Sequence, residues 1–367
     1  MPLADELLNA RVAKGLAASL KTAAPGLRFP ALGRARLTGL GLRQRTDLLR
    51  DALLTDLPGG YRELEDVVRR ALADDTFTGW MIWPVTEAVS SRALENGGTA
   101  AFDAALDLLA DLTPRLTAEF AVRPLLDADL KRALPKVLSW TEHPDEHVRR
   151  LASEGTRPLL PWARRVTAIV ERPGVTVPIL DALYRDESAY VRRSVANHLN
   201  DLSRGRPEVA VSAAARWSSA DAGKQTAQLV RHGLRTLIKQ GDADALALLG
   251  FAPPSGITLD GPALSDESVT VGDDLGFSCT LRNTSTEPAN LVVDYVVHHR
   301  KANGSTTPKV FKLTTKTLEP GAELVVERTH SFRLITTRVY HPGPHALEIQ
   351  VNGESFGKAG FELLPVA

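Results

Sequence analysis

Two stretches of this chain begin alike. VRRLASEG at residues 148–155 is answered by VRRSVANH at 191–198, a step of 43 residues. A weaker third copy, LVRHGLRTL at 229–237, resembles SVANHLNDL at 194–202, a step of 35. Each copy closes a helix–turn–helix unit, and steps near forty residues fall in the range of HEAT-like repeats. A single helix pair of this kind cannot bury its apolar face alone, so neighbours stack into a curved solenoid with a concave binding surface. An irregular helical bundle with a chance likeness between segments is the alternative.

Helical periodicity runs through the first 250 residues. Leu8, Val12, Leu16 and Leu20 share one face. Leu48, Leu49, Leu53 and Leu57 form a second stripe that stops at Pro58-Gly59-Gly60, and Val67, Val68, Ala71 and Leu72 form a third. At Phe251–Gly256 (FAPPSG) the character changes, and Val, Thr, Asn-Gly and Pro-Gly become frequent. Leu275, Phe277, Cys279 and Leu281 alternate, as do Leu291, Val293, Tyr295 and Val297, and Asn352-Gly353 is a hairpin signal. About seven such strands suggest an immunoglobulin-like sandwich. The expectation is therefore a mainly α protein: a HEAT-like α-solenoid over residues 1–252, then an immunoglobulin-like β-sandwich over residues 257–367.

Charge bears on partners. The 44 basic and 44 acidic side chains balance, so the whole molecule is not a general polyanion binder. The distribution is uneven, however: residues 1–254 carry 34 basic against 31 acidic side chains, and residues 255–367 carry 10 against 13. The lone cysteine, Cys279, excludes an intrachain disulfide and fits a reducing compartment. The N-terminal MPLADELLNARVAKGL lacks a basic-then-apolar leader, and no apolar run reaches membrane-spanning length. A cytoplasmic protein without membrane attachment is expected.

The stretch 191–204 holds the most informative pattern. Val191, Val195, Leu199 and Leu202 form the buried stripe, while Arg193, Asn197, Asn200, Asp201 and Arg204 line another face. The preceding repeat offers Arg149, Arg150, Glu154 and Arg157. Arginines clustered on repeated helix ends make a phosphate-binding track, since guanidinium matches phosphate in geometry and charge. The alternative is that they pair with nearby acids such as Asp145, Glu146, Asp186 and Glu187.

A carboxylate within such a track repels phosphate, so Glu154 and Asp201 need another purpose. One is to orient an arginine. The other is to face a cation: an N-alkylated nucleobase is positively charged, and its departure leaves an oxocarbenium-like sugar that a carboxylate stabilises. Trp162, in RPLLPWARR just past Glu154, could stack on a cationic base or cover a repeat junction. Trp80 and Trp83 are expected in the core, as is Cys279. His143 and His147 are four apart, but Pro144 between them reads as a turn rather than a helical metal pair. No glycine-rich phosphate loop and no GxSxG motif is present.

At VRRSVANHLNDLS the chain resembles the HEAT-like-repeat DNA alkylation repair glycosylases, and SEGTRPLLPW, TAEFAVRPLL and GWMIWPV resemble the AlkC branch in particular. The segment around YHPGPHALEIQVNG resembles the immunoglobulin-like domain that some of its members carry. The resemblance implies a monofunctional DNA glycosylase that removes cationic N3-alkylated bases, 3-methyladenine and 3-methylcytosine, in base excision repair. It implies action on double-stranded DNA without deep base flipping, as a monomer of the bacterial cytoplasm, with no cofactor and no metal. It also implies Glu119, Glu154 and Asp201 as the catalytic acids and Trp162 as the lesion contact, with DNA held by Arg149, Arg150, Arg157, Arg193 and Asn197. Leu159 stands where a basic residue is common in the family. A non-catalytic HEAT-repeat scaffold or a damaged-DNA-binding protein is the rival reading.

Overall fold

The computed structural model describes residues 2–96, 98–336 and 338–366. The chain divides into two compact units, Met1–Gly233 and Leu234–Ala367.

The first unit is built of helices. Helix Leu42–Asp56 packs on Ile82–Asn96, Glu146–Gly155 on Ala189–Gly205, and Ala189–Gly205 on Lys224–Gly233. Their starts are set locally: the Asp145 side chain accepts from His147 N, and the Ser188 side chain accepts from Tyr190 N, each satisfying a helix-end donor. The repeat register is visible in the side-chain ties between layers. Arg43–Glu87, Arg115–Asp75, Arg149–Asp186, Arg157–Asp201 and His198–Ser153 are separated by 44, 40, 37, 44 and 45 residues. One layer of a solenoid is thus hydrogen-bonded to the next at about one repeat length.

The expected stripes hold in the main. Leu8, Leu16, Leu20, Leu49, Leu53, Leu57, Val67 and Val68 are buried, as are Val191, Val195, Leu199 and Leu202. Val12 is only half-buried, and Ala13 takes the inward position with Leu16 and Leu20 instead. Trp83 is buried and stacks on Phe120 at 5.2 Å, whereas Trp80 lies half-exposed.

Among the described residues the second unit contains eight strands: β1 (Ile257–Leu264), β2 (Ser268–Thr270), β3 (Asp274–Asn283), β4 (Ala289–Arg300), β5 (Thr306–Leu318), β6 (Glu323–Ser331), β7 (Gly343–Val351) and β8 (Glu354–Leu364). They form a three-stranded sheet, β1-β3-β6, and a five-stranded sheet, β2-β8-β7-β4-β5. The inward positions Leu275, Phe277, Cys279 and Leu281 of β3 meet Leu291, Val293, Tyr295 and Val297 of β4 in one core. Asn352 at φ 48° and Gly353 at φ 82° make the tight β7–β8 turn that the Asn-Gly pair predicts.

The second compact unit begins before its first strand. Helices Arg235–Gln240 and Ala243–Leu248 belong with the strands. Leu246 and Phe251 pack on Val292, which points away from the sandwich core. This cover explains why Val292 of β4 is buried as well as the inward set, a departure from simple alternation.

Candidate active site

The site forms where helix Glu146–Gly155 and the loop after it meet helix Ala189–Gly205. Gly155 lets the end of the first helix lie close against Val122 of helix Val122–Ala128. A Cβ at this position would lie 2.7 Å from Val122 Cγ1, closer than packed carbons come.

Five of the residues singled out in the sequence come together here, three acids and two arginines. Arg157 donates to Asp201 in a two-pronged pair, Nε to Oδ2 at 2.9 Å and Nη2 to Oδ1 at 3.2 Å. Its Nη1 donates to Glu154 Oε1 at 2.6 Å. Arg150 Nη1 donates to Glu119 Oε2 at 2.5 Å, and its Nη2 stands 3.5 Å from Glu154 Oε1. Glu154 and Asp201 are buried at 6% and 5% exposure. Burial pulls the Arg157 guanidinium down, but the hydrogen bond to Asp201 and the Glu154 charge outweigh it and hold its pKa above the ordinary value. Three carboxylates thus share two directly bonded arginines, and the buried Arg123 guanidinium, bonded to main-chain carbonyls only, acts on Asp201 as a third positive charge.

The acids are held from other sides as well. Ser194 Oγ donates to Glu154 Oε2 at 2.6 Å, and Leu159 N donates to Asp201 Oδ2 at 3.3 Å. Thr117 Oγ1 lies 3.0 Å from Glu119 Oε2. Behind them His198 is fully enclosed between Ser153 O, 2.9 Å from Nδ1, and Thr176 Oγ1, 3.0 Å from Nε2. A carbonyl only accepts, so Nδ1 carries the proton, and burial pushes the His198 pKa down to about 3.

Trp162 stands apart in its exposure. It is 93% exposed, with its backbone in the left-handed region at φ 64°. Both features are unfavourable for a tryptophan and neither serves a core. The reading in which it covers a repeat junction is therefore not what the fold adopts. A non-glycine residue held in this conformation costs about 1–3 kcal/mol and marks functional sites.

The arginines divide into two groups. Arg149 is buried, with Nε and Nη2 on the two oxygens of Asp186 at 2.7 and 3.0 Å and Nη1 on the carbonyls of His143 and Pro144. Its geometry is the pairing alternative raised above. Arg150 and Arg157 are committed to the acids. Arg193 alone of the four is exposed, and with Asn197 it lines a groove of about 520 Å³ that also includes Arg192, Gln225, Gln228 and His232. The repeat explains the difference. Arg193 occupies the position of Arg150 one repeat on, but Asn197 replaces Glu154 four residues later.

Ser194, Tyr190 and Arg123 were not picked out from the sequence. Tyr190 is 41% exposed and lies over the Arg150 guanidinium at 5.1 Å. It takes the repeat position of His147, whose ring it meets at 5.6 Å. Ser194 takes the position of Leu151, and a hydroxyl replacing a core leucine is a signal for a buried polar contact. Arg123 interrupts the apolar run AVRPLL, again a visible signal. His143 lies in the turn that Pro144 implies, its Nδ1 accepting from Asp145 N, and among the described residues no group of three or more His, Cys, Asp or Glu side chains is arranged to hold a metal. Cys279 is buried, and burial raises its thiol to about 11. No helix among the described residues is long and apolar enough to cross a membrane.

Fold and site together define a HEAT-like-repeat protein carrying an acid–arginine network and, on the loop after helix Glu146–Gly155, an exposed tryptophan, followed by an immunoglobulin-like domain. Residues 258–365 match the model of the C-terminal Ig-like domain of the uncharacterised protein YhaZ. YhaZ of Bacillus subtilis (strain 168) is 33% identical over 324 residues, covering 88% of each chain. The alkylpurine DNA glycosylase AlkC of Pseudomonas fluorescens, solved bound to DNA containing an abasic-site analogue, superposes with a TM-score of 0.84 at 33% identity, over 98% of this chain and 99% of its own. The chain belongs to the family that unites AlkC and YhaZ.

Proposed function

We propose that this protein is a DNA glycosylase that hydrolyses the N-glycosidic bond of cationic N3-alkylated bases, 3-methyladenine and 3-methylcytosine, in double-stranded DNA. The observation that carries the reading is the gathering of three carboxylates, Glu119, Glu154 and Asp201, on Arg150 and Arg157, with the exposed Trp162 on the loop that Leu159 N ties to Asp201. The likeness to a DNA-bound alkylpurine glycosylase supports it.

In this reading the substrate brings its positive charge to these acids. A cationic base departs as a neutral leaving group, so no strong general acid is needed. Asp201 and Glu154 stabilise the oxocarbenium-like sugar and orient the attacking water, and Glu119 assists through Arg150. Fixed by arginine and backbone donors, these carboxylates need little reorganisation as charge develops. Trp162 meets the lesion from outside, which fits a site that forms no deep base pocket. Arg193 and Asn197 hold the DNA backbone. Arg149, Arg150 and Arg157 reach phosphates only by exchanging the acids they hold, so their first role is to orient those acids.

The test is release of 3-methyladenine and 3-methylcytosine from methylated duplex by the wild type, Asp201→Asn and Glu154→Gln. Binding without base release by the wild type identifies a scaffold or damage-binding protein instead. Cleavage at the wild-type rate by both variants removes the assignment of the acids.

A further inference from the structure

Arg123 is almost wholly enclosed, at 1% exposure. Burying a guanidinium is costly unless its donors find acceptors. Its hydrogen bonds all go to main-chain carbonyls: Nη1 to Gly155 O and Arg157 O, both at 2.9 Å, and Nε to Arg164 O at 2.6 Å. These acceptors lie on either side of the loop that displays Trp162. One rigid planar group therefore grips the segment where it leaves helix Glu146–Gly155 and again where it returns. Between the two grips, Leu159 N is tied to Asp201. Trp162 is too exposed for its own side chain to hold the left-handed backbone, so the hold comes from the loop ends.

We propose that Arg123 is the positioning residue for Trp162, its guanidinium clamping both ends of the 157–164 loop and so fixing where the indole stands relative to Glu154 and Asp201. A planar fork suits this task because it presents several donors in fixed geometry, which a lysine ammonium does not. The activity readout rests on the glycosylase reading above; the exchange readout below does not.

A double-mutant cycle separates positioning from general stability. Arg123→Lys should slow single-turnover release of 3-methyladenine about tenfold in the wild-type background and less than about twofold in Trp162→Ala, because the effect passes through the indole. Equal slowing in both backgrounds overturns the proposal. Should the wild type release no base, the glycosylase reading fails and amide hydrogen exchange decides this one. Arg123→Lys should then speed exchange in residues 157–164 about tenfold and leave helix Ala189–Gly205 unchanged. A uniform change, or none, overturns it. Should Arg123→Lys not fold, the wild-type loop is measured alone: the amides of Leu159 and Ala163 should exchange at least about tenfold slower than an unstructured chain, and unprotected amides overturn the clamp.

Discussion

Arg157 and Asp201 are 44 residues apart in sequence and meet side by side, the guanidinium placing Nε and Nη2 on the two carboxylate oxygens at 2.9 and 3.2 Å. This pair joins one repeat to the next at the point where the acids gather. Because Arg157 also holds Glu154, the two acids are fixed relative to one another through a single side chain.

Asp201→Asn keeps the volume and one acceptor but removes the charge. Base release should fall by about 10²–10³, the usual loss when one preorganised electrostatic group is removed. Folding should survive, since Arg157 retains Glu154. Single-turnover kinetics together with a thermal melt check both halves.

Trp162 offers a trade between stability and function. Its φ of 64° suits glycine, and its side chain adds little to the core at 93% exposure. Trp162→Gly should raise stability by roughly 1 kcal/mol while lowering base release. Urea unfolding measures the first effect and excision the second; a destabilised variant would show that the indole has a packing role.

Arg193 lies outside the acid network on an exposed groove. Arg193→Ala should weaken DNA binding evenly across sequences and reduce the slope of log K against log salt by about 0.9. The rate of base release from the bound complex should not change. A salt titration of binding, paired with single-turnover assays at saturating enzyme, distinguishes this from a catalytic role.

Acid should weaken the fold through buried neutral histidines. Burial holds His299 down to about 3 and His330 to about 4, as it does His198 at about 3. The unfolded forms titrate near 6.5, so between that pH and the folded values the unfolded chain binds more protons. Stability is fully present above about pH 6.5 and is lost as the pH falls toward 3–4. At pH 5 each such group costs about 2 kcal/mol. Unfolding free energies from pH 7.5 to 5 should fall accordingly. His330→Asn should flatten the slope by the share of one histidine, whatever it does to absolute stability.

Much of this was legible in the chain because it is local or periodic. The 43-residue step between the two Val-Arg-Arg segments signals stacked repeats, since each helix pair must repeat its apolar stripe to bury it. The alternation of Leu275 to Leu281 and the Asn352-Gly353 pair mark strands and a turn for equally local reasons. Glu154 and Asp201 were recognisable as acids out of place among arginines.

What the tertiary structure alone decided is which charges meet. The arginines of the Val-Arg-Arg segments read alike in sequence, yet Arg149 is committed to Asp186, Arg150 to Glu119, and Arg193 is left exposed. Their partners lie about a repeat away, and repeat geometry, not spacing along the chain, selects them. The same holds for the start of the second unit: Leu246 and Phe251 belong to it because they cover Val292, a contact between segments some forty residues apart. It holds most clearly for Arg123 and Trp162. A buried guanidinium and an exposed indole both contradict the preferences of their residue types. The three carbonyls brought around Arg123 are what reconcile the first, and they also grip the loop that presents the second.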